Sequence, residues 1–289
     1  PIGTLIWKLA PALAAGNSVV IKPSERASCS SLELMKVLEE ADLPDGLINV
    51  VTGFGTTTGV PLIEHDDVRM ISFTGGTKGG SAASLSASKK VKPIIMELGG
   101  KSPQIVFEDA DLNLSVNGVV SGIFPVTGHS CISGSRILVH KKIKDQFIKN
   151  LLDVVKKAKV GNPNDPNTQI GPIANKEQYE FILSKIDNAE KRGLKLLLDG
   201  RKECKSQGYY IGPTIFDDVP NNDDLAQNEV FGPVASIHSW ENEEDVIEIA
   251  NDTVYGLAAG IWTNDVNKAI RFAEKIEAGT VYINNYFNA

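Results

Sequence analysis

Cysteine is scarce: three residues in 289, Cys29, Cys131 and Cys204. They are too few and too scattered for a disulfide scaffold, and they fit a reducing, cytoplasmic compartment, an odd cysteine being a candidate nucleophile. Positive charge is not in excess either. With 29 Lys and Arg against 36 Asp and Glu, the chain carries a formal charge of −7, so it lacks the basic footprint of a nucleic-acid or anionic-membrane binder. No apolar run approaches the roughly 18 residues of a spanning helix; the nearest, residues 2–15, is broken by Lys8 and Pro11. His65, His140 and His238 stand isolated, and no Cys or His cluster has metal-ligand spacing, so no metal is expected. Repeats, low-complexity tracts and a signal-peptide pattern are absent too. What remains is an ordinary globular composition, 42% hydrophobic and 22% charged with 26 Gly and 14 Pro, enough apolar residues for a sizeable core.

Over residues 1–98 helical and strand patterns take turns. Ile6, Leu9, Ala10 and Leu13 recur at helical spacing before a buried strand at 18–21. A helix opens on a capping box, Ser30 with Glu33, ahead of a strand at 47–51. A short helix at 60–64, a strand at 69–73, a helix at 79–89 and a strand at 93–97 follow. Such alternation implies βαβ units and a mostly parallel, doubly wound sheet, hence an α/β fold. Beyond Gly99-Gly100 the pattern is mixed, with strands at 104–107, 137–140, 234–240 and 280–284. Helices run through Ile148 to Val155, through Tyr179 to a close at Gly193, through Val246 and Ala250, and from Val266 to a close at Gly279. The two glycines mark the expected boundary, a hinge between a domain at 1–98 and one at 99–289. The chain starts at Pro1 and stops soon after its last strand, so it is expected to be an internal piece of a longer protein.

Chemistry can sit at several of these junctions. Lys22 and Glu25 follow a strand end, where parallel sheets bind ligands, yet a solvated turn has the same look. The segment 53–59, with Gly53, Gly55 and Gly59, leaves a strand and enters a helix. It reads either as a glycine turn or as a dinucleotide loop one residue longer than the usual fingerprint. Gly75, Gly76 and Thr77 follow a strand at a helix start, where backbone N–H groups face an anion; as a lone feature they read as structural. Cys131 is set among Gly, Ser and His rather than in an apolar core, a setting that supplies donors for a thiolate and for an oxyanion. Glu97, ending an apolar strand, is either paired structurally or desolvated as a general base requires. His129, two residues before Cys131, raises a Cys-His hydrolase as a distant reading.

Taken in order, these segments resemble the NAD(P)-dependent aldehyde dehydrogenase superfamily over essentially the whole chain. The carriers are WKLAPALAAGN at 7–17, IKPSE at 21–25, FTGGT at 73–77, ELGGKSP at 97–103, GHSCISGSR at 128–136 and NEVFGPV at 228–234. The resemblance implies a Rossmann-like NAD-binding domain, in part, followed by an α/β catalytic domain. It makes Cys131 the nucleophile on an aldehyde and Glu97 the base for thioester hydrolysis. Lys22 and Glu25 would hold the adenosine ribose, Glu25 favouring NAD over NADP. Gly55, Gly59, Gly75, Gly76, Thr77 and Leu98 would line the cofactor, and Glu229 and Phe231 would grip its nicotinamide ribose and ring. A homodimer or homotetramer is implied, with an asparagine immediately before Pro1 as oxyanion donor. Three positions depart from the family's usual residues: Val126 stands for Asn, His129 for Gln or Glu, and Gly76 for Ser. A CoA-acylating relative and a non-catalytic relative are the alternatives; Glu97 counts against the first, Val126 and His129 favour the second.

Overall fold

The structure is a computed structural model that describes residues 2–203 and 207–287; Cys204 lies outside the described residues. The chain divides into two compact units, 1–98 and 99–289.

The first unit runs α1 (Ile2–Ala14), β1 (Val19–Ile21), α2 (Cys29–Glu39), β2 (Ile48–Val50), α3 (Val60–Glu64), β3 (Ile71–Thr74), α4 (Thr77–Ser88) and β4 (Ile94–Glu97). β1 pairs with β2 and β3 with β4, both parallel as the alternation requires. They form two separate pairs rather than one continuous sheet, strands of three or four residues offering few ladder positions. The capping box at Ser30 is not used. Helix α2 starts at Cys29 behind Ser28, whose hydroxyl donates to the Ser24 carbonyl instead of capping, so Ser30 already lies inside the first turn.

The second unit runs β5 (Pro103–Val106), α5 (Leu112–Ile123), β6 (Arg136–His140), α6 (Lys144–Val155), α7 (Lys176–Lys191), β7 (Lys195–Leu198), β8 (Thr214–Asp217), α8 (Asp224–Gln227), β9 (Val234–Trp240), α9 (Glu243–Asn251), β10 (Ala258–Trp262), α10 (Val266–Lys275) and β11 (Thr280–Ile283). Its strands form a seven-stranded sheet in the order β11-β10-β5-β6-β9-β8-β7, every pair parallel except β7 with β8. Strand residues alternate between two cores. Val106, Ile137 and Val139 pack with α5 and α6, while Ile105, Leu138 and Ile261 pack with α9 and α10 on the other face. A sheet covered on both faces is why β5 and β6 are buried at every position, their polar Gln104, Arg136 and His140 included. Helix α7 closes at Gly193, with φ +84°, but α10 stops at Lys275 rather than at Gly279. The Gly279 N–H is committed to the Gly256 carbonyl as the chain enters β11.

Candidate active site

In the first unit, parallel pairing brings the carboxyl ends of β1 and β2 side by side, Ile21 opposite Val50. Lys22 leaves one strand and the 53–59 turn leaves the other, so residues 31 apart in sequence meet. Lys22 Nζ donates to the carbonyls of Pro23 at 2.7 Å and Gly53 at 3.0 Å, and it lies 3.8 Å from Glu25 Oε2. The turn winds through Gly55–Gly59 into α3. A Cβ on Gly59 would stand 3.4 Å from the Lys22 stem, whereas Gly55 has open space there.

The same geometry repeats at β3 and β4, where Thr74 lies opposite Glu97 and the Gly75 N–H donates to the Glu97 carbonyl at 3.1 Å. Gly76 is the N-cap of α4, with open space where a Cβ would stand and no side-chain cap on the helix. The first-turn N–H groups, from Thr77 on, therefore lack a side-chain partner. Gly75 has a packing reason instead, since a Cβ there would come within 2.9 Å of the Phe73 ring. Leu98 packs under α4, 2.6 Å from where a Gly80 Cβ would be. The Glu97 side chain is exposed, not desolvated. Its charge bears on Lys8, which donates to Ser72 Oγ at 2.8 Å and whose pKa is lowered by burial against the pull of Glu97.

In the second unit four sequence candidates converge. The loop from α5 to β6 carries Cys131, half-buried. Gly100 packs so tightly on it that a Cβ would stand 2.3 Å from the Cys131 carbonyl oxygen. A Cβ on Gly99 would stand 2.3 Å from Glu229 Oε2, and the Gly100 N–H donates to Glu229 Oε1 at 3.2 Å. The glycine pair read from sequence as a hinge thus has a local cause: it lies between the Glu229 carboxylate and the backbone of the loop that carries Cys131. Burial raises the Glu229 pKa, while the Gly100 N–H and the charge of Lys101 oppose the rise. Lys101 is itself buried, which pushes its pKa down to about 7. Phe231, at φ +51°, stacks on His129 with ring centroids 5.4 Å apart. Gly128 meets the Gly232 backbone, where a Cβ would stand at 2.2 Å.

The environment of His129 bears on the reading of it as a base. Burial lowers its pKa and its Nε2 has no hydrogen-bond partner among the described residues, so this nitrogen is not a base on Cys131. Among the described residues no three His, Cys, Asp or Glu side chains group to hold a metal, and no helix is long and apolar enough to cross a membrane.

Two supporting residues escaped the sequence. Gln178 of α7 donates from Nε2 to the carbonyls of Val230 at 2.9 Å and Phe231 at 3.0 Å, pinning the loop that carries Glu229. Tyr286 donates to the Ile132 carbonyl beside Cys131. Both act on backbone across long sequence separations, which no local pattern signals.

The comparisons with known proteins point one way. The model of the aldehyde dehydrogenase family matches residues 1–289. The chain is 42% identical over 287 residues to aldehyde dehydrogenase 1A1 of Bos taurus, aligning 99% of this chain with 57% of that protein. It is also 42% identical over 289 residues to betaine aldehyde dehydrogenase of Brucella anthropi, aligning 99% with 59%. Among solved structures, the NAD+ complex of aldehyde dehydrogenase from Bacillus cereus superposes with TM-score 0.97 at 37% identity, covering all of this chain and 59% of that one. Betaine aldehyde dehydrogenase from Staphylococcus aureus in complex with NAD+ gives 0.95 at 38%, covering 100% and 58%. The chain therefore spans under two thirds of the length of each relative.

Proposed function

The chain belongs to the aldehyde dehydrogenase family, and from that premise we propose that the whole protein oxidises an aldehyde to a carboxylic acid with NAD through a covalent cysteine intermediate. The observation that carries this is the convergence in the second unit, where Gly99 and Gly100 seat Glu229 on one side and abut the Cys131 backbone on the other, with Phe231 alongside.

The residues fit the cofactor. Open space at Gly55 and Gly76 lets a diphosphate approach backbone, and the first turn of α4 offers N–H groups without a side-chain cap. Lys22 and Glu25 would hold the adenosine ribose, the Glu25 carboxylate accepting from a 2′-hydroxyl and repelling a 2′-phosphate. Gly59, Gly75, Thr77 and Leu98 would back that end; Glu229 and Phe231 would hold the nicotinamide ribose and ring. NAD, when bound, supplies the hydride acceptor.

The Cys131 thiolate adds to the aldehyde carbonyl, forming a C–S bond and an alkoxide. Loss of hydride from that carbon leaves an acyl thioester on Cys131. Glu97 then takes a proton from water, the hydroxide adds to the thioester carbon, and the C–S bond breaks to release acid and thiolate. Cys131 must be a thiol for this, which agrees with a reducing, cytoplasmic setting; assembly as a homodimer or homotetramer belongs to the same proposal. In the full-length protein, Cys131→Ala is expected to abolish NADH formation. Glu97→Gln is expected to keep a pre-steady-state NADH burst and to slow turnover about a hundredfold. Normal turnover by Cys131→Ala refutes the proposal.

A further inference from the structure

Cys131 sits in a turn. The Ser133 N–H donates to the Ser130 carbonyl at 3.1 Å, which makes Cys131 and Ile132 the two central residues. The peptide group joining Ile132 to Ser133 is thereby held at its N–H end. It is held at the other end as well, because Tyr286 Oη donates to the Ile132 carbonyl oxygen at 2.7 Å from 154 residues away in sequence.

Tyr286 is 2% exposed and reaches the turn through a slot that two glycines keep open. A Cβ on Gly122 of α5 would stand 2.6 Å from Tyr286 Cδ1, and one on Gly260 of β10 would stand 2.7 Å from Cδ2. The ring is fixed between a helix and a strand, so its hydroxyl has little choice of position. Burial raises the phenol pKa above its ordinary value; the neighbouring Ser102 hydroxyl opposes the rise, and the charges of Tyr282 and Cys131 add to it. The hydroxyl therefore stays protonated, a donor, over the whole working range.

We infer that Tyr286 is a positioning residue for the nucleophile: by clamping the Ile132 carbonyl it fixes the turn that presents the Cys131 thiol. The inference rests on the reading of Cys131 as the nucleophile. Nothing in the local sequence around Cys131 supplies this clamp. The turn is closed by a single backbone bond, and the Tyr286 hydroxyl adds a second hold on the same peptide group.

The test is Tyr286→Phe in the full-length protein, which keeps the ring in its slot and removes only the donor. Iodoacetamide at neutral pH is the probe, read by mass spectrometry on the peptide bearing Cys131, with exposed Cys29 as internal standard. The expected result is Cys131 alkylation slowed about fivefold, the scale of one lost hydrogen bond, with Cys29 unchanged. The kcat for aldehyde oxidation falls by a similar factor while KM for NAD holds, a split that general loosening does not produce. An unchanged Cys131 rate, or equal slowing of both thiols, overturns the inference. Hydrogen exchange in the unsubstituted protein gives a second check: a clamped turn predicts a protected Ser133 amide, and exchange as fast as in exposed loops overturns it too. Should Cys131→Ala retain turnover, the functional reading fails, and the alkylation and exchange results still decide whether Tyr286 orders the turn.

Discussion

Val126 has φ 53° and ψ 26°, and Thr127 has φ 57° and ψ 32°. Two β-branched residues thus occupy the left-handed region, where each costs roughly 1–2 kcal/mol. Asn, the residue that the family resemblance leads one to expect at position 126, enters that region most readily after Gly. The departure in sequence is therefore a departure in strain. Val126 is 64% exposed, so a polar replacement is not penalised by burial. Val126→Asn is expected to raise unfolding stability by about 1 kcal/mol, read as a higher urea midpoint at unchanged m-value; a lower midpoint contradicts the account. At this scale legibility was uneven. Cys131 drew notice through its small polar neighbours, and Lys22 through its place at a strand end, where a solvated turn has the same look. Glu229 and Phe231 came only from motif resemblance, because seating a carboxylate on Gly99-Gly100 needs a contact 129 residues long. Tyr286 and Gln178 were invisible for the same reason.

Among elements, β7, β8, β10, α5 and α8 went unread, and β10 is the instructive case. Its Ala-Ala-Gly start carries little strand propensity, and burial on both faces erases the alternation that marks a half-exposed strand. The helices were read better, since one buried stripe leaves a 3.6-residue period. Helix α9 ends on a partner that periodicity does not announce. Arg136 of β6, fully buried, donates from Nη1 to the Ile249 carbonyl at 2.9 Å and from Nη2 to the Ala250 carbonyl at 2.6 Å. Its Nε donates to the Lys101 carbonyl at 2.9 Å. Two carbonyls of the last turn of α9 and one beside the glycine pair thus share a single guanidinium. Burial lowers its pKa to about 10, still well above neutrality, so it remains charged there. Arg136→Met fills the stem but leaves three carbonyls without this donor. Removing a buried charge offsets part of the loss, and the net expectation is a destabilisation of about 3 kcal/mol. An equilibrium urea titration checks it, and a variant as stable as the parent rejects the capping role.

Across the whole molecule, apolar burial is unequal. Among the described residues, the three hydrophobic clusters fall within residues 99–287, whereas in the first unit burial of apolar side chains is confined to a few, Leu9, Ile21, Pro23, Ile71, Ala83 and Ala87. Trp240 and Trp262 are 4% and 1% exposed in the second unit and Trp7 is 70% exposed in the first, so changes in tryptophan emission on unfolding report mainly the second unit. That signal can follow one buried titratable group. His238 of β9 is 4% exposed, with Nε2 3.0 Å from Ser236 Oγ. Burial, reinforced by the positive charges of Arg136, Lys101 and Lys144, pushes its pKa down to about 3. The unfolded chain takes up this proton near pH 6.5 and the folded chain does not. Between those values the unfolded state binds more protons, so stability is fully present above pH 6.5 and is lost as pH falls toward 3. His238→Gln carries no proton in either state, and whatever its packing cost, that cost is independent of pH. Relative to the variant, the unsubstituted protein should lose about 2 kcal/mol more stability between pH 7 and pH 5, at about 1.4 kcal/mol per pH unit below 6.5. Urea titrations at the two pH values, followed by tryptophan emission, measure the difference, and parallel pH dependence in the two proteins refutes it.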